Sequence, residues 1–208
     1  MNEEHYHFME LLGAFLTGVV GPILYLLVSK YLQKEKDKKR DKVKENISSV
    51  SLISDELEEI REENKADRVW IAQFHNGGNF YPTGKSIQKF SIFYEVTKAG
   101  VSSVSHTFNN IPCSLYPKAF EHMMEGQGIF IPNFSDPKIA TYGLKGAAES
   151  VGTKSSFLVP LFTLDEKYIG TIGIDYVTKK KKLTKDQWEH FQIKAGRISG
   201  YLSTYLEK

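Results

Sequence analysis

The segment Phe74-His75-Asn76-Gly77-Gly78-Asn79-Phe80-Tyr81-Pro82-Thr83-Gly84-Lys85 gathers a histidine, three aromatics, two amides and a lysine into one short stretch. A turn between two strands calls for Asn-Gly, because both residues tolerate positive φ. It does not call for the histidine, the aromatics and the lysine around it. Two readings stand. His75 caps a strand end while Phe80 and Tyr81 cover the edge of a core. Alternatively, the segment is the polar and aromatic rim of a small-ligand site, with His75 and Asn76 as hydrogen-bond donors and Lys85 as a charge anchor. Tyr94, Glu95, Asn133, Asp136 and Tyr142 extend this candidate ligand-binding set.

The remaining chemistry-bearing residues form no catalytic constellation. His5 and His7 precede an apolar run, and His75, His106, His122 and His190 show no metal-ligand spacing with Cys113 or with paired carboxylates. Ser155 and Ser156 lack a nucleophile-elbow context. Gly170-Thr171-Ile172-Gly173 falls inside a strand pattern, where glycines serve packing and do not form a phosphate loop. The sequence therefore predicts no enzyme, no metal and no cofactor.

Leu11 to Ser29 carries no charged side chain, and Lys30 to Lys44 carries eight Lys or Arg against three acids. With Phe8, Tyr31 and Leu32 at its edges, the apolar run matches the roughly 30 Å hydrocarbon core of a bilayer at about 1.5 Å per residue. Glu3, Glu4 and Glu10 precede it, so the positive-inside asymmetry puts residues 1–7 outside and the bulk of the chain in the cytoplasm. A signal peptide would carry its basic cluster on the other side of the run. A soluble helix would avoid Gly13, Gly18, Gly21 and Pro22, which lipid tolerates. Gly13, Thr17 and Gly21 make a small-residue stripe on which two spans can approach closely. The expectation is a single-pass protein of the inner (plasma) membrane, with a span over residues 8–32.

Net charge is +2 and the one cysteine, Cys113, excludes an internal disulfide. Much of the positive excess lies just beyond the span, which favours anionic membrane lipid over nucleic acid as its partner. Lys179 to Lys182 reads as a solvated turn or a second lipid contact.

Residues 30–67 hold no Gly or Pro and read as one long helix, of which 33–67 form a basic juxtamembrane and coiled-coil-like linker. Val43, Val50, Leu57 and Asn64 alternate with Asn46, Ile53 and Ile60 at three-and-four spacing. The seam suits either a coiled-coil dimer or one amphipathic helix packed on the following domain. From Val69 the period shortens to that of strands: Val69 to Phe74 and Phe90 to Val96, with Asn76-Gly77-Gly78 as turn chemistry. A short helix, Leu115 to Glu125, follows, then a brief strand Ile129-Phe130-Ile131 and a long loop over Pro132 to Gly152. A hairpin, Ser156 to Thr163 and Tyr168 to Val177, turns at Asp165-Glu166-Lys167. Thr184 and Gln187 form a capping box, and Trp188, Phe191, Ala195, Ile198, Leu202 and Tyr205 make the apolar stripe of a last helix. This order predicts an α+β domain over 68–208 with one antiparallel sheet and terminal helices.

Phe157-Leu158-Val159-Pro160-Leu161 and Tyr168-Ile169-Gly170-Thr171-Ile172-Gly173-Ile174-Asp175 resemble the closing hairpin of GAF domains, and the resemblance extends over roughly residues 45–208. It implies a GAF/PAS-like sensory module that binds a small molecule between its sheet and a capping layer, or a dimerisation unit with helices along a two-fold axis. The N-K-x-F-x-x-D-E motif of cyclic-nucleotide GAF domains is absent; Asn133-Phe134-Ser135-Asp136 is a faint echo of it. The segment from Pro160 to Ile172, with Ala195 and Arg197-Ile198, is also similar to the end of the lysis holins of T-even bacteriophages, which have one span and a C-terminal α/β domain.

The sequence thus leads to a membrane-anchored cytoplasmic GAF-like domain acting as a non-catalytic small-ligand sensor or dimerisation scaffold. The expected homodimer interface is Val50, Ile53, Leu57, Ile60, Phe191, Ile198 and Leu202. No kinase, cyclase or DNA-binding segment follows Lys208, so output is expected to pass to a protein partner. The alternative is a holin-like lysis protein that oligomerises in the inner membrane.

Overall fold

The computed structural model describes residues 3–39 and 42–206 and divides into two compact units, Met1–Asn46 and Ile47–Lys208. The first contains α1 (Glu3–Phe15), a π-helical stretch Leu16–Val20 and α2 (Gly21–Lys39). The π-helical stretch lies just before Pro22, whose ring crowds the preceding turn and which has no N–H to continue the ladder. Leu12–Leu32, 21 residues with a mean hydropathy of 2.0, is long and apolar enough to cross a membrane, and none of it is buried inside the chain. Within it the Thr17 hydroxyl donates to the Gly13 carbonyl at 2.8 Å and the Ser29 hydroxyl to the Leu26 carbonyl at 3.0 Å. Both hydroxyls are thus satisfied where lipid would offer no partner. Arg40 and Asp41 of the basic cluster, and the side chains of Val43, Asn46 and Tyr205, lie outside the described residues.

The helix α3 (Lys42–Asn64) ends earlier than the sequence predicts, although no Gly or Pro stops it. Lys65 takes a left-handed conformation (φ 50°), the Ala66 N–H donates to the Arg61 carbonyl at 2.9 Å, and the Lys65 N–H to the Glu62 carbonyl at 3.1 Å. This is a Schellman closure made with a lysine in place of the usual glycine.

Six antiparallel strands follow: β1 (Arg68–Asn79), β2 (Ser86–Thr97), β3 (Ile111–Pro112), β4 (Ile129–Ile131), β5 (Ser155–Phe162) and β6 (Tyr168–Tyr176). Their spatial order is β3-β2-β1-β6-β5-β4, so the first and last long strands form the centre. Strand alternation sends Val69, Ile71, Phe157, Val159, Leu161, Ile172 and Ile174 to one face, where α3 and the last helix α6 (Lys185–Leu206) cover them. Trp70, Ala72, Phe90, Ile92 and Leu158 point to the other face. There α4 (Pro117–Met124), α5 (Lys145–Ser150) and the loop around Val104 lie over the sheet. The expected capping box opens α6 in both directions, Gln187 N–H to Thr184 Oγ1 at 3.2 Å and Thr184 N–H to Gln187 Oε1 at 3.1 Å.

Two expectations change. Asn76-Gly77-Gly78 is not the turn: β1 runs on to Asn79 through an irregularity in its pairing with β2, and the chain reverses over Phe80 to Lys85. At Gly77 the Lys89 side chain lies across the strand, 2.1 Å from where a Cβ would stand, so a larger residue there would displace that lysine. The positions expected at a two-chain interface, Ile53, Leu57, Ile60, Phe191, Ile198 and Leu202, are completely buried in the core of this one chain. The seam of α3 meets the stripe of α6 and the sheet, so apolar burial is satisfied within the chain. Val50 alone of the set is exposed, at 38%.

Charged and polar contacts run along the α3–α6 contact: Glu63 with the His190 ring at 3.4 Å, and the ion pairs of Lys194 with Glu59 and Glu63 at 3.0 Å each and of Glu56 with Arg197 at 2.7 Å. Their order shows that the two helices run antiparallel.

Asp67 joins the start of the sheet to the approach of α6. Its Oδ2 accepts the N–H groups of Val177 and Thr178, both at 2.8 Å, and the Thr178 hydroxyl at 2.9 Å. Burial alone would raise this carboxyl, but the Thr178 and Val177 donors outweigh it and hold it below the usual range. A folded value below the unfolded one gives stability that is complete above about pH 4 and is lost as pH falls through the folded value. Asp67→Asn is therefore expected to cost about 1–3 kcal/mol at pH 7. Denaturant melts at neutral pH and near pH 3 should show that gap closing on acidification.

Candidate functional site

Between the second face of the sheet and the α4/α5 layer lies a cavity of about 100 Å³. Its walls are apolar: Ala72, Phe90 and Ile92 from the strands, Ala119, Phe120 and Met123 from α4, Ala147 and Ala148 from α5, and Val104 and Phe108 from the intervening loop. Polar atoms come from Thr153, Ser156, Thr171 and Asp175, and from Tyr116.

Asp175 organises the polar end. It stands on β6 opposite Arg68 of β1, and the two form a buried ion pair, Nη2 to Oδ2 at 2.9 Å and Nε to Oδ2 at 3.1 Å. The indole N–H of Trp70 adds a third donor to Oδ2 at 3.0 Å, and the Ser156 hydroxyl donates to Oδ1 at 2.6 Å. Arg68, 1% exposed, also donates to the Ser102 carbonyl at 3.0 Å and to Thr153 Oγ1 at 2.8 Å. One guanidinium therefore ties the central strand pair to both loops that edge the cavity. The Trp70 ring lies over Gly173, where a Cβ would come within 2.4 Å of the indole. Farther along β6, Thr171 and Tyr168 share a hydrogen bond at 2.7 Å, beside the Met123 sulfur. Burial pushes the Tyr168 and Tyr116 phenols up and keeps both neutral.

None of the ten residues expected at a ligand site lines this cavity. His75 contacts Ser91 Oγ at 2.8 Å and packs edge-on to Phe93, while Asn76 Oδ1 accepts from Gln88 at 3.0 Å. Lys85 is exposed, as are Phe80 at 53% and Tyr81 at 98%, so the aromatics neither cover the core nor rim the cavity. Phe74 is the inward member of that segment, against Phe120 and Tyr168. Tyr94 packs on the α3/α6 side. Glu95 acts at one remove: its carboxylate accepts the N–H groups of Val104 at 2.8 Å and Ser105 at 3.1 Å, fixing the loop that supplies Val104 and Phe108. Asn133 and Asp136 turn onto the N–H groups of Ser135 and Lys138, each at 3.0 Å, and Tyr142 stacks on His122. Among the described residues, no group of three or more His, Cys, Asp or Glu could hold a metal ion.

The polar residues that do meet were visible as anomalies. Arg68 and Asp175 each stand beside an apolar strand run, and a charge in such a place needs an opposite partner. In the sequence Asp175 stands out as the last residue of the GAF-like hairpin.

No family model and no curated protein matches this chain. Solved structures do. The blue-light-absorbing form of the Thermosynechococcus elongatus PixJ GAF domain aligns with TM-score 0.61 at 14% identity, over 78% of this chain and 90% of its own. The phycocyanobilin-bound GAF domain of a cyanobacterial phytochrome aligns with TM-score 0.61 at 16% identity, over 86% and 93%. The phycoerythrobilin-bound GAF domain from a cyanobacterial phytochrome gives 0.61 at 18%, over 76% and 87%. Identities this low carry no information about ligand or partner; what they establish is the fold, an antiparallel sheet between two helical layers as in GAF domains.

Proposed function

We propose that this protein is a membrane-anchored, non-catalytic sensory module whose cavity under α4 and α5 takes a small molecule. The observation that carries this reading is the Arg68–Asp175 pair. It forms the polar end of the cavity, and Arg68 begins the strand that leaves α3, so an occupant that shifts the pair acts on the first element after that helix. No histidine lines the cavity, and Asp175 is already engaged by Arg68, Trp70 and Ser156, so Ser156 has no free base beside it. Two of the neighbours named above hold bilins, phycocyanobilin and phycoerythrobilin. A cavity of about 100 Å³, against the roughly 300–1,000 Å³ of ordinary ligand sites, favours a smaller molecule here.

The apolar span and the basic run after it support an inner-membrane anchor with the domain in the cytoplasm and anionic lipid beside it. A homodimer through the span or through the exposed Ile47 and Val50 of α3, and an output protein, complete the reading. A thermal-unfolding screen of a small-molecule library tests the sensor. Compounds should raise the melting temperature of the full chain but not that of Ala148→Leu, in which the cavity is filled. Equal shifts in both proteins would place binding elsewhere.

Topology has its own test. Lys180→Cys in a Cys113→Ser background should resist a membrane-impermeant maleimide in intact spheroplasts and react after lysis. Labelling before lysis would place the domain outside and favour the lysis-protein alternative.

A further inference from the structure

The donors and acceptors of the cavity wall specify what kind of molecule it can hold. The Ser156 hydroxyl hydrogen is committed to Asp175 Oδ1, and the Trp70 N–H to Oδ2. Thr171 and Tyr168 bond each other and both contact the Met123 sulfur, so either hydroxyl orientation places both hydrogens on protein acceptors. Thr153 accepts from Arg68 and has Asp175 Oδ2 at 3.5 Å for its own hydrogen. What these side chains still offer is oxygen lone pairs. Tyr116 is the exception, a half-buried neutral phenol that both donates and accepts.

The wall is also electrically complete. Its one charged group, Asp175, is neutralised by Arg68, and every nitrogen of that guanidinium is engaged, by Asp175, by Thr153 and by the Ser102 carbonyl. An anion entering the cavity would meet no free cation, and a cation no free carboxylate, in surroundings that are otherwise apolar. As to size, a sealed apolar cavity of roughly 150 Å³ in another protein holds benzene; the space here is about 100 Å³ and partly open to solvent, so a single small ring with one edge at the mouth is the largest occupant it takes.

Building on the sensor reading, we infer that the ligand is a compact neutral ring compound with a single hydrogen-bond donor, of the phenol class, whose donor meets Ser156 Oγ. The apolar ring would lie among Ala72, Phe90, Ala119 and Ala148, and its hydroxyl would point to the lone pairs at the Asp175 end.

The test is calorimetric titration of the full-length protein in lipid nanodiscs, with empty discs as the blank, using phenol, toluene and benzoate. Phenol and toluene match in shape and differ in the donor; benzoate adds a charge. Phenol should bind at least tenfold more tightly than toluene, and benzoate should give no heat above the blank. Ser156→Ala should bring phenol and toluene to equal affinity while toluene binding persists. Ala148→Leu should abolish binding of both; Ala119→Val serves if that variant does not fold. Equal binding of phenol and toluene by the wild type, or benzoate as tight as phenol, overturns the ligand class. So does failure of all three probes where the library screen yields compounds excluded by the filled cavity, and in that case the sensor reading stands. A screen with no such compound overturns the sensor reading itself.

Discussion

Replacing Arg68 by Met is expected to lower folding stability by about 3–5 kcal/mol, because it leaves the buried Asp175 carboxyl without its cation and with only Trp70 and Ser156 as close donors. At roughly 2–4 °C per kcal/mol for a domain of this size, the melting temperature of the full chain should fall by about 6–20 °C. Removing both charges, as Arg68→Met with Asp175→Leu, should restore more than half of the loss, since no ionised group then lacks its partner. A double variant no more stable than Arg68→Met would show that the energy lies in the surrounding hydrogen bonds and not in the ion pair. The same comparison tests the cavity. The polar end is held by this pair, so the single variant should also loosen the loops at Ser102 and Thr153.

The second large effect concerns α3. Ile53→Asp places a carboxylate at a position with 0% exposure, facing α6 and the sheet, and should cost several kcal/mol and unfold the domain. Val50→Asp, one turn earlier and 38% exposed, should leave the melting temperature almost unchanged, within about 0.5 kcal/mol. Sedimentation of the detergent-solubilised full chain then separates folding from association. If the first turns of α3 pair with a second copy, Val50→Asp weakens that association while the fold persists. An Ile53→Asp protein that melts like the wild type would show that α3 does not dock on its own domain.

Periodicity made the architecture legible: the three-and-four stripes of α3 and α6, the β5–β6 hairpin and the Thr184 capping box all stand where their patterns put them. Periodicity does not identify the surface that a stripe meets. The seam at Ile53, Leu57 and Ile60 has the same spacing whether its partner is another chain or the chain's own sheet, and here it is the sheet and α6. The cavity was not legible in the sequence for a different reason. His75, Phe80, Tyr81 and Lys85 stand out because they are polar or aromatic among turn residues. A cavity between two apolar layers is instead lined by residues that look like ordinary core, such as Ala72, Phe90 and Ala148. Its specific feature, the Arg68–Asp175 pair, joins positions 107 residues apart, and only strand register brings them face to face.

The pairing of β1 with β6 at the centre of the sheet also governs how the domain can be made. Until Asp175 has been synthesised, Arg68 has no carboxylate and β1 has one bare edge, so a nascent chain that stops in the middle strands holds only the β1–β2 hairpin and its short neighbours. The central contact must close a loop of about a hundred residues, which slows folding relative to a chain of local hairpins. That edge of β1 therefore stays unpaired until β6 emerges, and truncations before β6 are candidates for aggregation, with no independently folded half-domain to rescue them.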